Sequence, residues 1–198
     1  MSKKKKIILL IIIGLFFVLL FTMWDKIVLK SKLYFRCNDE ISHNFSFDTV
    51  YIKKEKKLIS VYYEISKHID AENKNDLFLI YNETFDVIFN ESNKYNNYTV
   101  DIVFKYNKNT EFAFLNIDNT KNTEIFCQNN NITIDDIALY CPKTTSIKIN
   151  QMNYNEIKSF LEFDNLKLFW CINDSIELEE EEYILSLFSD CKIFDEND

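Results

Sequence analysis

His43, in ISHNFSF, and His68, in SKHIDAEN, are the only histidines among 198 residues. Neither has a second ligand at metal spacing or a nucleophile at a fixed offset, so imidazole-based metal or acyl-transfer chemistry has little to work with. No G-x-S-x-G or H-E-x-x-H is present, and a chain with a single glycine cannot build a glycine-rich phosphate loop. Acidic pairs such as Asp135-Asp136 are commonplace in a chain with 31 acidic residues and do not by themselves define a glycosidase. The expectation is a protein without a catalytic constellation, metal or cofactor.

The cysteines carry more information. Cys37, Cys127, Cys141, Cys171 and Cys191 include no C-x-x-C, which argues against a thioredoxin-like redox centre. Cys127 and Cys141 bracket a short loop, whose closure would stabilise by about 3 kcal/mol on the chain-entropy estimate. For Cys37 the partner is Cys171 or Cys191. The favoured pairing is Cys37–Cys171, since KLYFRC and KLFWC both read as strands, and it leaves Cys191 a free thiol on the tail. The alternative is Cys171–Cys191, with Cys37 available to bridge a second copy.

Whether such pairs can form depends on compartment, and the first residues speak to that. MSKKKKIILLIIIGLFFVLLFTMWDK opens with a basic tail, 1–6, and continues as an apolar run over 7–24. At about 1.5 Å per residue this run spans roughly 27 Å as a helix, close to the hydrocarbon thickness of a bilayer. A secretory signal has a shorter core of about 7–15 residues and a small-residue cleavage site. Here the run ends Phe-Thr-Met-Trp, and Trp24 suits the membrane interface. The reading is a retained single-pass signal anchor. Lysines flank both ends, but a short basic tail crosses a membrane less readily than a long C-terminal domain. The N-terminus is therefore expected inside and 25–198 outside the cytoplasm, in the periplasm of a bacterial inner membrane.

Residues 25–173 read as a β-rich domain. Leu58–Ile65 alternates at period two and pairs with Val50–Ile52 across the polar turn Lys53–Lys57. LFLIYNETFDVIF reads as two strands in one phase, followed by Tyr98–Tyr106 and a strand near Phe112, an antiparallel meander with one face on a core. Asn-rich clusters replace glycine at the turns, because Asn tolerates left-handed backbone. Thr133 and Asp136 are spaced to cap a short helix, SIKIN and NLKLFWCI are strands, and NYNEIKSFL fits either a capped helix or a hairpin arm. No internal repeat is visible. The fold class expected is a transmembrane helix plus a small α+β, mainly antiparallel-β domain.

The tail 174–198 is acidic, with ten carboxylates and one lysine. It reads as a helix whose early Glu179, Glu180, Glu181 and Glu182 suit the helix dipole and could present an acidic surface to a partner. No exported segment is basic enough to suggest nucleic acid. The triplets at Asn44, Asn82, Asn90, Asn97, Asn131 and Asn173 would be glycan acceptors only in a eukaryotic secretory pathway.

Basic tail, single membrane helix, YFRC, strand meander and late KLFWC together resemble the layout of the FidL-like inner-membrane proteins of enteric bacteria, over roughly residues 3–173. That resemblance implies a periplasmic binding or modulating domain, similar in plan to the ToxS-type proteins that accompany membrane-bound regulators. The function expected is protein–protein interaction with another membrane or periplasmic protein. An anchored immunity-type protein that binds a toxin, or an envelope enzyme, are the alternatives.

Overall fold

In the computed structural model the described residues are 3–38, 44–90, 93–116, 119, 123–152 and 154–196. The backbone of Lys3–Asn38 is helical throughout (α1). Among the described residues no single helix is long and apolar enough to cross a membrane. Leu9–Leu20 and Met23–Arg36, bent by 45° to one another, meet that length and composition only together. The two parts differ in environment. Every large apolar side chain from Leu9 to Leu20 is exposed, whereas Leu29 and Leu33 are buried against the domain. Arg36 Nη1 also donates to Glu83 Oε2 at 2.8 Å, tying the second part to the next helix.

Eight strands follow in chain order across one sheet, β1-β2-β3-β4-β5-β6-β7-β8. They are β1 Phe45–Lys53, β2 Leu58–Ile65, β3 Thr99–Tyr106, β4 Asn109–Asn116, β5 Thr123–Cys127, β6 Thr144–Ile149, β7 Leu168–Cys171 and β8 Lys192–Phe194. β1–β2, β3–β4 and β4–β5 are antiparallel. β2–β3 and every pair from β5 onward are parallel. A mixed α/β domain is thus established, but the expected uninterrupted meander exists only from β3 to β5.

Parallel neighbours need crossovers, and four segments supply them. α2 (Lys74–Phe85), continued by a π-turn over Asp86–Asn90, links β2 to β3. α3 (Ile134–Tyr140), a 3-10 helix over Tyr154–Glu162, and α4 (Leu178–Leu187) make the later three links. All four step the same way between parallel strands, so a common hand puts them on one face of the sheet. Their mutual contacts agree. Phe78 of α2 stacks on Tyr140 of α3 at 4.5 Å, and the buried carboxylate of Glu156 accepts from the Ile134 N–H that opens α3.

LFLIYNETFDVIF is therefore helical, α then π, and not a pair of strands. Leu77, Ile80, Tyr81, Thr84, Phe85 and Ile88 are buried at helical spacing, while Leu79, which a strand would bury, is exposed. KLYFRC is likewise the end of α1. Asn153 lies outside the described residues, so its capping role is not described. The Thr133–Asp136 capping box forms as expected. Asn107 and Lys108 take positive φ in the β3–β4 turn, one of them the anticipated Asn.

The tail is not separate from the domain. α4 buries Ile184, and β8 pairs with β7. Nor is the chain without repetition. Ile125, Ile147, Phe169 and Ile193 stand side by side on successive parallel strands, at intervals of 22, 22 and 24 residues. A strand and a helical return of that length form the unit of strand–helix solenoids.

Candidate interaction face

With the helices on one face, the other face of the sheet is left without a covering element among the described residues. Register fixes what it displays. Tyr62 pairs with Val103, Val103 with Ala113, and Ala113 with Phe126. Phe126 pairs with Lys148, Lys148 with Trp170, and Trp170 with Phe194. One continuous row, apolar save for a single lysine, thus crosses seven strands of the open face, with Val103 buried and the other six half-buried.

Lys148 sits between two rings, its Nζ 3.6 Å from the Trp170 centroid and 6.0 Å from Phe126, a geometry that holds the ammonium by cation–π attraction. Trp170 and Phe194 follow at 5.9 Å. At the other end, Lys105 Nζ lies 4.2 Å over Tyr62, which meets Tyr51 edge-on at 5.9 Å. Ala113 makes a low point between Val103 and Phe126. The neighbouring row carries the polar groups Asp101, Glu124 and Ser146. Burial raises the Asp101 carboxyl above the usual range, and Lys105 offsets this only in part. Aromatic rings with scattered charges on an open sheet suit a protein surface better than a small molecule.

No disulfide joins Cys127 to Cys141, or Cys171 to Cys191 as in the alternative pairing. All four side chains are buried. Geometry supplies the reason. Cys127 ends β5 at one edge of the sheet, whereas Cys141 follows α3 at the opposite edge, where its carbonyl accepts from Thr144 N at 3.0 Å. Cys171 ends β7, and Cys191 stands just before β8 at the far edge. Cys127 and Cys171 both pair with Ile149, so they are two strands or about 10 Å apart, outside disulfide reach. Burial pushes the Cys127 and Cys171 thiols up to about 12 and Cys191 to about 11. They are packing groups. The Cys37 side chain lies outside the described residues, and with it the Cys37–Cys171 pairing.

His68 has a structural setting. Its ring packs on Tyr106 at 4.0 Å, and Nδ1 meets Oε1 of the buried Glu111. Glu111 Oε2 accepts from Asn129 Nδ2 at 2.7 Å, and Asn131 Nδ2 donates to the Ile69 carbonyl at 2.7 Å. The group ties the 66–73 loop to the β5–α3 loop. His43 lies outside the described residues. Among the described residues no group of three His, Cys, Asp or Glu is placed to hold a metal ion.

The acidic run opens α4. Glu180 is buried and closes a capping box with Glu177, while Glu179 and Glu182 are exposed. Comparison with family models, curated proteins and solved structures finds no match. Sequence reading missed the open-face row because it is made by register between strands far apart in the chain. The one linear signal was the aromatic residues on the polar phase of their strands: Tyr62, Phe126, Trp170.

Proposed function

We propose that the chain is a membrane-tethered binding protein whose open sheet face engages another membrane or envelope protein. Two features support the tether. The apolar side chains of Leu9–Leu20 have no protein cover, and they lead directly into a helix segment docked on the domain. A bilayer is the solvent that an uncovered apolar helix of this kind requires. The N-terminal lysines and the long C-terminal part favour a domain outside the cytoplasm. The buried cysteines, joined by no disulfide, lend that placement no help.

The observation that carries the binding role is the row from Tyr62 to Phe194. It spends rings on a surface that nothing in the described chain covers, and rings are what protein interfaces enrich. A membrane-bound regulator, which this chain would modulate, is the partner type that the layout resemblance implies.

The test is a photo-crosslinking residue at Ala113 in cells, with a control at Leu139, which is exposed on the helical side. The reading expects one membrane protein attached from Ala113 only, and lost in Trp170→Ala while the chain stays in the membrane fraction. Equal labelling from both positions, or retention of the partner in Trp170→Ala, would overturn it.

A further inference from the structure

Strand direction sorts the loops of this domain by edge. Lys53 pairs with Leu58, and Leu58 with Thr99, so the β1–β2 tip and the entry to β3 share one edge. That edge is also where the helix leaves the domain. Asp25, the first residue after the apolar run, binds Lys54 Nζ at 3.1 Å and also meets Lys94 Nζ. The two lysines hold the Asp25 carboxyl below its usual range, Lys94 first. The tip is therefore fastened to the point at which the helix would enter lipid.

With Asp25 engaged, the tip still presents Lys53, Lys56 and Lys57, all exposed, against one acid, Glu55. Lys57 in left-handed backbone makes the turn that projects them. Beside the tip is a cleft of about 260 Å³ between α1 and the Lys94 turn, lined by Trp24, Asp25, Val28, Lys32 and Tyr95 among others. Ring and lysine at one level form the composition expected at a headgroup layer.

The opposite edge has the other sign. Asp70 and Glu72, both paired with Lys67, follow β2 there, Lys108 stands in the β3–β4 turn, and Asp174, Glu177, Asp195 and Glu196 follow β7 and β8, so acids are in excess. The domain is thus electrically polarised along its strands, positive where the helix departs and negative far from it. Sheet twist of roughly 20° per strand turns the later strand starts away, so only the β1–β3 end can lie flat beside the helix.

We infer that the β1–β2 tip and the Lys94 turn form a basic collar that rests on the bilayer and binds anionic lipid headgroups. The inference rests on the membrane-tethered reading. A bilayer is the occupant because the apolar run ends at the collar's own level, and its anionic form is required by the collar's charge. The collar would fix the tilt of the domain and so the direction in which the open face looks.

The experiment uses the full chain in vesicles of phosphatidylcholine alone or with one third phosphatidylglycerol. A fluorophore is attached through Glu55→Cys in a Cys37→Ser background, and a second preparation carries it through Asn109→Cys at the far edge. Nitroxide-labelled headgroups report proximity. The inference expects quenching at position 55 to be at least threefold stronger with phosphatidylglycerol. That gain should vanish near 1 M salt, where the screening length is about 3 Å. It should also vanish in Lys53→Gln/Lys56→Gln/Lys57→Gln, and position 109 should show none. Chain that floats with both vesicles but quenches equally overturns the collar and leaves the tether standing. Chain that does not float with either overturns both.

Discussion

The two halves of the sheet solve the packing problem differently. From β1 to β4 the core is built from rings contributed by distant segments. Phe104 meets Phe45 at 5.8 Å and stacks on Tyr63 at 5.2 Å, while Tyr81 of α2 stacks on Phe114 at 4.0 Å. From β5 to β8 the strands pack in register on their sheet neighbours, through the rows Ile125–Ile147–Phe169–Ile193 and Cys127–Ile149–Cys171. A ring cluster with members on five elements fails as a whole, whereas a stack of units can fray from its end. The second half ends in its weakest unit, since β8 has three residues and Ile193 is only half-buried.

The largest expected difference follows from that contrast. Phe104→Ala removes a fully buried ring and should cost about 3–5 kcal/mol, enough to unfold much of the population. Ile193→Ala should cost about 1 kcal/mol, and it should raise hydrogen exchange in β8 and α4 without changing exchange in β2 and β3. Urea unfolding of the detergent-solubilised chain with exchange mass spectrometry reads both. If the two variants loosen every strand alike, the domain is one cooperative unit and the contrast fails.

Cysteine reactivity sharpens the same comparison. Cys191 belongs to the terminal unit, whereas Cys127 and Cys171 sit deeper in the stack. A thiol-specific disulfide reagent at pH 8 should modify Cys191 at least tenfold faster than Cys127, by way of local opening. Fully unfolded under non-reducing conditions, the chain should yield at least four titratable thiols. Peptide mapping that finds Cys127 joined to Cys141 would refute the edge-to-edge separation on which this rests.

The joint between the halves is a third place to test. Lys74 of α2 pairs with Asp136 of α3 at 2.7 Å, and Asp136 also closes the Thr133 capping box. Thr133→Ala should cost about 1 kcal/mol, the usual value of a lost N-cap. Adding Lys74→Gln should cost less than the sum of the two single changes, because both act through Asp136. Strict additivity would mean that the ion pair does not depend on the cap.

How much of this was legible in the sequence also divides by half. The hairpin, β3, β6, β7 and the α3 cap follow from alternation and capping chemistry, which are local. α2 is ambiguous in sequence because LFLIYNETFDVIF is apolar at periods of both two and 3.6, and what separates them is the exposure of Leu79 and the burial of Phe78, Ile80, Thr84 and Ile88. β5 and β8, with five and three residues, are too short to alternate visibly. The repeat was hidden because each unit offers only two or three inward positions, filled by different residues, and returns through a different kind of helix. The open-face row is invisible in one dimension, since its members meet only through register.

The smallest effect concerns Asp101, at the centre of the first half's open face. Burial raises its carboxyl, so the ionised form is held less comfortably in the fold than in the unfolded chain. The sign follows by linkage. An acid whose folded value is raised weakens the fold above that value, and the penalty disappears as pH falls through it. Asp101→Asn should therefore raise stability at pH 7 by about 0.5 kcal/mol, within the range of surface substitutions. The gain should fall to nothing near pH 3. A gain for Asp101→Asn that persists at pH 3 would assign the effect to packing against Lys105 and Leu115 instead of to charge. Loss of stability at pH 7 would show that the attraction of Lys105 outweighs the burial, and would reverse the sign argued here.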